Sequence, residues 1–301
     1  MEKIQKNKLH HMSVKDGILV YVPVVLFVLI AVIPFITMIS GSLSSPSMIK
    51  EYGVALWPRG FSTSAYELIF RFPDEMINSY LITILVTVAG TLLNMVLLLT
   101  LANYLCKSTH PSTKYISFFI FFTLMFQAGL VPTYIVYTDL LHIKDTIWVL
   151  ILVPALSVGH LFLLRMFISA VPSALYESAR IDGAGEFRIL FRITIPLIVP
   201  GIATITFYSV LMYWNDPFTA LMYTDNIVPV SLYLSRVTSY IEFLKFVQQG
   251  GIPGVSLGNM EIPDNTMIYA MAVVTTGPMM FIFVFFQKYF VNGLTVGGVK
   301  G

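Results

Sequence analysis

The sequence predicts an all-α integral membrane protein with six transmembrane helices, and three observations carry that expectation. Apolar residues make up 56% of the 301-residue chain and charged residues only 11%, where a soluble domain averages about 25% charged. Mean hydropathy is +0.80. Six stretches lack Lys, Arg, Asp and Glu, approximately residues 18–40, 78–101, 117–137, 147–164, 197–213 and 268–286. None shows the period-two alternation of a strand, and a hydrocarbon core near 30 Å takes about 20 helical residues.

Residues 1–17 form a cytoplasmic N-terminal segment with Lys3, Lys6, Lys8 and Lys15 ahead of the first span. The apolar run that follows is longer than the roughly 7–15 residues of a signal-peptide core. It contains Pro23 and Pro34 and ends in Ser-Gly-Ser-Leu rather than a small-x-small cleavage site, so it is expected to remain as a helix. Pro132, Pro154 and Pro278 imply kinks whose freed carbonyls neighbouring helices satisfy. The fifth span is shortened by Pro196 and Pro200. Two external loops are long, residues 41–77 and 214–267. In the second, Val237, Tyr240, Ile241 and Leu244 recur at helical spacing, which predicts an amphipathic helix, and the glycines of 250–254 end it.

Charge sets the expected orientation. With the N-terminus inside, 12 basic residues fall in cytoplasmic segments and 6 in the longer external ones, so both termini are expected in the cytoplasm. A net charge of +2 gives no reason to expect nucleic-acid binding, and the single cysteine, Cys106, cannot form an internal disulfide.

The spans hold no acid or base except His160. Proton relays and voltage sensors place ionisable groups at membrane depth, and a lone histidine near a helix end is expected to be neutral and hydrogen-bonded to backbone. The chain has no phosphate-binding loop of the Gly-x-x-x-x-Gly-Lys-Ser/Thr form, no His-Glu-x-x-His pair and no Gly-x-Ser-x-Gly turn. No catalytic residue and no metal ligand set is assigned.

The segment 171–196 differs from the rest. Pro172 suits the first turn of a helix, Leu175 and Ala179 share a face, and Gly183 with Gly185 permits a helix stop at positive φ. Phe187, Leu190, Phe191 and Thr194 form a second stripe. The pattern is a helical elbow between spans four and five, or an ordinary juxtamembrane amphipathic loop.

Glu177-Ser178-Ala179, then Asp182-Gly183-Ala184 and Ile193-x-Ile195-Pro196, resemble the E-A-A loop of the permease subunits of bacterial ABC importers. The ending from Gln287 to Gly301 and the Trp214-Asn215-Asp216 run are similar to carbohydrate permeases of the maltose-permease type. Phe126 to Tyr134 and Ser42 to Ser45 resemble a Gram-positive subgroup that imports oligosaccharides. The resemblance covers the chain from the first span onward, residues 18–301, as one transmembrane domain.

It implies that Glu177, Ser178, Ala179, Arg180, Asp182, Gly183 and Ala184 couple to a separate ATPase. Leu175, Ala179 and Phe187 would be the packed face, with Arg180 and Asp182 at the rim. The tail Gly297, Gly298, Val299, Lys300 and Gly301 is a second implied ATPase contact. The implied partners are a second homologous permease forming a heterodimer, two ATPase subunits that bind ATP and Mg, an extracellular solute-binding protein and a sugar. The chain itself would be non-catalytic, without a cofactor, and multi-pass in the bacterial plasma membrane. An ion-coupled secondary carrier and a membrane enzyme fit the hydropathy alone; the empty charge inventory of the spans disfavours the first, and the scatter of external acids the second. Tyr80, Asn94, Tyr134, Tyr208 and Asn215 are sugar-compatible side chains, none of them assigned to a site.

Overall fold

The structure, a computed structural model, describes residues 14–70, 73–107, 111–249, 251 and 265–297. Lys3, Lys6, Lys8, most of the glycine-rich tip and Gly298 to Gly301 lie outside the described residues. Described secondary structure is helical, with one isolated bridge between Ser44 and Phe61. Among the described residues three helices are long and apolar enough to cross a membrane, within Tyr21–Ser42, Pro73–Cys106 and Asn265–Tyr289. The number reaches six if each of three bent helix pairs counts as one span.

The chain divides into two compact units, residues 1–71 with 247–273 and residues 72–246 with 274–301. In the first, α1 (Val14–Ser42) runs into a loop carrying α2 (Pro46–Tyr52) and α3 (Ser64–Ile69). That loop folds back on the end of α1. Ser45 N–H donates to the Arg59 and Gly60 carbonyls at 3.0 and 2.7 Å, Ser62 N–H to the Leu43 carbonyl at 2.9 Å, and the Tyr66 hydroxyl to Ser42 Oγ at 2.8 Å. None of the apolar window of α1 is buried, as a helix facing lipid or another chain requires.

The second unit is built around α4 (Pro73–Lys107). After it come α5 (Ser112–Met125), α6 (Leu130–Ile135), which widens into a π-turn over Val136–Leu140, α7 (Ile147–Leu152) and α8 (Val158–Ser169). The elbow follows as α9 (Ser173–Ile181), α10 (Glu186–Ile189), a second π-turn over Leu190–Thr194 and α11 (Ile195–Leu197). Helices α12 (Val199–Trp214), α13 (Pro217–Tyr223), α14 (Val230–Gln248) and α15 (Asn265–Gly297) complete the chain.

Two expected spans are broken. The third, expected as one run over 117–137, turns by 117° between α5 and α6. Gly129 takes φ +88° there and Pro132 follows, lacking the N–H that would continue the ladder. The fourth, expected over 147–164, is interrupted at 153–157 around Pro154 and then runs on to Ser169. The fifth, expected over 197–213, is continuous as α12 and follows an 85° bend at Ile198; Pro200 sits in its first turn, where a missing N–H costs little. The expected amphipathic helix is present as α14, with Ile241 and Leu244 buried and Tyr240 exposed.

The break in the fourth span is held by side chains from neighbouring helices. Asn94 of α4, fully buried, donates from Nδ2 to the Ala155 carbonyl at 2.8 Å and accepts from Ser209 Oγ of α12 at 2.7 Å. The Tyr213 hydroxyl donates to the Ile151 carbonyl at 2.9 Å. Backbone polar groups at membrane depth have no water to turn to, so such partners are what make a broken helix tolerable. Around this node lie two apolar clusters. Leu98, Leu161, Leu164 and Ile205 anchor one, and Val149, Leu150, Ala220 and Leu232 the other. Glycine brings the helices close: a Cβ at Gly90 would lie 2.4 Å from the Tyr213 ring, and one at Gly201 2.4 Å from that of Phe167.

Beyond the N-terminus of α7, Asp145 adopts φ +53° and joins its loop to the one after α13. Its Oδ1 accepts from the N–H groups of Asp225 and Asn226 at 3.0 and 3.1 Å, and its Oδ2 from Asn226 Nδ2 at 2.7 Å. Lys144 Nζ stands 3.5 Å from Asp225 Oδ2. The hydrogen bonds, those from Asn226 first, hold the Asp145 carboxyl below its ordinary value of 3.8. A carboxyl with a depressed folded value stabilises the contact above its unfolded value and loses that contribution as pH falls through the folded one. Protection of the Asp225 and Asn226 amides from hydrogen exchange is therefore expected to be insensitive to this group between about pH 5 and 8, to fall only below about pH 4, and to be lost in Asp145→Ala at any pH.

Candidate functional site

The elbow forms for local reasons. Helix α9 starts after Pro172 and ends in a Schellman motif: Gly183 N–H donates to the Arg180 carbonyl at 3.0 Å and Ala184 N–H to the Ala179 carbonyl at 2.9 Å. Gly183 takes φ +75°, the left-handed conformation that this stop requires. Arg180 then reaches across the turn to Glu186, with Nη2 3.1 Å and Nε 3.3 Å from Oε1. Both side chains are partly exposed, so the pair fixes geometry more than it adds stability.

Tyr176, Ala179 and Ile189 form a small core of their own, joined by Val171, Ala184 and Ile193. Ala179, expected on the outward packed face, therefore points into the elbow. The second stripe divides in the same way: Leu190 and Thr194 are buried, whereas Phe187 is 77% exposed and Phe191 63%. With Ile181 at 86% and Leu175 at 42%, the elbow leaves four large apolar side chains exposed. Glu177, Ser178, Asp182 and Gly183 are exposed beside them. The elbow hangs from α8 at 73° and leads into α12 through the 85° bend, so it is joined directly to two helices that both pack on α4.

The other sequence-named residues are scattered. Gly297 closes α15, and the rest of the tail lies outside the described residues. Tyr80 donates to the Val274 carbonyl at 2.6 Å, Tyr134 stacks on Tyr223 with centroids 5.5 Å apart, and Asn94 serves the helix break. Asn215 is exposed and caps back to the Leu211 carbonyl at 3.1 Å. His160 departs from expectation: its imidazole has no hydrogen-bond partner among the described residues and stacks on Tyr208, centroids 6.0 Å apart. No group of three or more His, Cys, Asp or Glu side chains suited to a metal is found among the described residues. Cys106 is half-buried, its Sγ 3.5 Å from Ser169 Oγ.

No protein-family model matches the chain. Relatives do. The polygalacturonan/rhamnogalacturonan transport system permease protein YtcP of Bacillus subtilis is 33% identical over 298 residues, 98% of this chain and all of that protein. Protein LplC of the same organism is 30% identical over 274 residues, 90% of each chain. A solved bacterial ABC transporter involved in import of the acidic polysaccharide alginate superposes with a TM-score of 0.77 at 26% identity, covering 92% of this chain and 98% of that one. With a relative at this identity matched end to end, and the fold matched besides, the chain belongs to the permease subunits of carbohydrate ABC importers, multi-pass plasma-membrane proteins in which ATP hydrolysis falls to separate subunits.

Proposed function

We propose that this chain is one of two membrane subunits, paired with a different homologous permease, that carry an oligosaccharide from an extracellular binding protein into the cytoplasm. Residues 171–196 dock in a groove of one of two ATPase subunits, which bind ATP and Mg. Six spans place both termini inside, with residues 1–17 ahead of the first. The observation that carries this reading is the elbow: a separately packed helical stop with an unpartnered apolar face, joined directly to α8 and α12. Closure of the ATPase pair moves the elbow, and the spans exchange an outward-open for an inward-open arrangement, each with its own affinity for sugar. Glu177 and Asp182 rim the docked face, Phe187, Ile181 and Leu175 fill it, and the tail 297–301 makes a second contact. The names of YtcP and of the alginate importer favour uronic-acid oligomers as the first substrates to try.

The complex of both permeases and the ATPase, in vesicles with loaded binding protein, is expected to take up a galacturonate oligomer only with ATP. An ion gradient without ATP drives nothing, and the single chain neither hydrolyses ATP nor accumulates sugar. In whole cells, Ser64→Cys should react with an impermeant thiol reagent and Ser173→Cys should not. Uptake on a gradient alone would restore the secondary carrier, and labelling of Ser173→Cys from outside would reverse the orientation.

A further inference from the structure

Past its first residue, every position of α12 is buried or half-buried with one exception: Tyr208 is 45% exposed, nine positions after Val199 and six before Trp214. Its hydroxyl has no partner among the described residues. Thr204 lies four residues before it and Leu211 and Asn215 three and seven after, so Thr204, Tyr208 and Asn215 share one face at helical spacing. His160, third residue of α8, lies against Tyr208 at 20° to its ring, and its enclosed Nδ1 is unpaired. Gly159 beside it is exposed, and a Cβ there would meet only Ser157 Oγ, at 4.0 Å. Leu156, in the break before α8, and Leu163 of α8 are 44% and 40% exposed.

A hydroxyl, an imidazole and an amide along one open face are out of place against lipid tails, which offer them no partners, and from the middle of a helix a tyrosine cannot reach the headgroups. A water-filled passage supplies those partners. We propose that His160, Tyr208 and Asn215 form a saccharide-binding stretch of the translocation pathway. The exposed part of the Tyr208 ring offers an apolar surface to a sugar ring, His160 holds that ring in place from one side, and the imidazole and the Asn215 amide exchange hydrogen bonds with sugar hydroxyls. The stretch carries no acid and no fixed cation, so it reads hydroxyl-rich rings rather than charge. The assignment rests on the proposed sugar-import function and deepens it.

The test uses the assembled importer with Cys106→Ser as background. Tyr208→Cys and His160→Cys are expected to react with a water-soluble methanethiosulfonate, and a saturating galacturonate trimer delivered by the binding protein should slow the reaction at least about fivefold. Tyr208→Ala should lower trimer uptake about tenfold or more while ATPase subunits still co-purify, and Tyr208→Phe, which keeps the ring, should retain most of it. Reaction only with a lipid-partitioning maleimide, or with neither reagent as in a closed subunit interface, overturns the assignment, as does wild-type uptake by Tyr208→Ala. If the unmutated importer takes up no oligosaccharide, the function proposed above fails on its own, and labelling by the water-soluble reagent still decides whether this face lines an aqueous passage.

Discussion

Gly183→Val is expected to abolish uptake while leaving the chain inserted and the rest of the second unit folded. No atom lies within 4 Å of where a Cβ would stand at Gly183, so the effect is not a clash. It comes from φ +75°, which costs an L-residue about 1–2 kcal/mol and a β-branched one more. That is comparable to the whole stability of a two-turn helix end held by the two Schellman hydrogen bonds, so α9 unwinds or tilts and the exposed face of Ile181 and Phe187 is no longer presented as one surface. The series orders itself by backbone chemistry: Asn, which tolerates the left-handed region, should restore most uptake, Ala should be intermediate and Val worst. Glu177→Lys is a complementary probe. Glu177 is exposed, and reversing its charge should weaken ATPase co-purification without changing thermal stability in detergent. A series in which Asn, Ala and Val behave alike, or Glu177→Lys at wild-type uptake, would reduce the segment to a connector.

Much of this site was legible in the sequence because its signals are local. Proline at a helix start, glycine at its stop and apolar residues at helical spacing in 171–196 announce an elbow whatever surrounds it. Which side faced inward was not legible. Ala179 and Phe187 are both apolar, and only the packing of Tyr176 and Ile189 shows that Ala179 belongs to the elbow's own core while Phe187 is left outside. The spans show the same division. Their existence follows from a lack of charge, a property of each stretch alone, but their continuity does not. Apolar composition is blind to a break, and the turns after Met125 and Leu152 are set by Gly129, Pro132 and Pro154 together with partners far along the chain, 61 residues away between Asn94 and Ala155. A lone histidine near a helix end suggests a backbone partner, and no sequence signal places the Tyr208 ring beside His160 instead.

The second large effect is expected at Asn94. Asn94→Leu keeps the branched side-chain skeleton, with larger methyl groups in place of the amide, but leaves the Ala155 carbonyl without its donor and removes one acceptor from Ser209. Ser209 retains its 2.9 Å bond to the Ile205 carbonyl, so the carbonyl carries most of the loss. An orphaned buried acceptor costs about 1–3 kcal/mol in proteins generally, whereas interhelical hydrogen bonds in a membrane average nearer 0.6 kcal/mol because the alternative state also finds partners. The upper range should apply here, since a carbonyl in a helix break has no neighbouring turn to fall back on. Ser209→Ala alone should cost less than Asn94→Leu, and the double variant no more than Asn94→Leu alone, because both remove one shared bond. Unfolding in a denaturing detergent titration reads these differences, and additive losses would show that Asn94 and Ser209 act separately. Function should follow stability in this case. The break sets the direction in which α8 leaves α7, α8 carries α9, and a break that loses its donor lets the elbow drift from the place where a partner must find it.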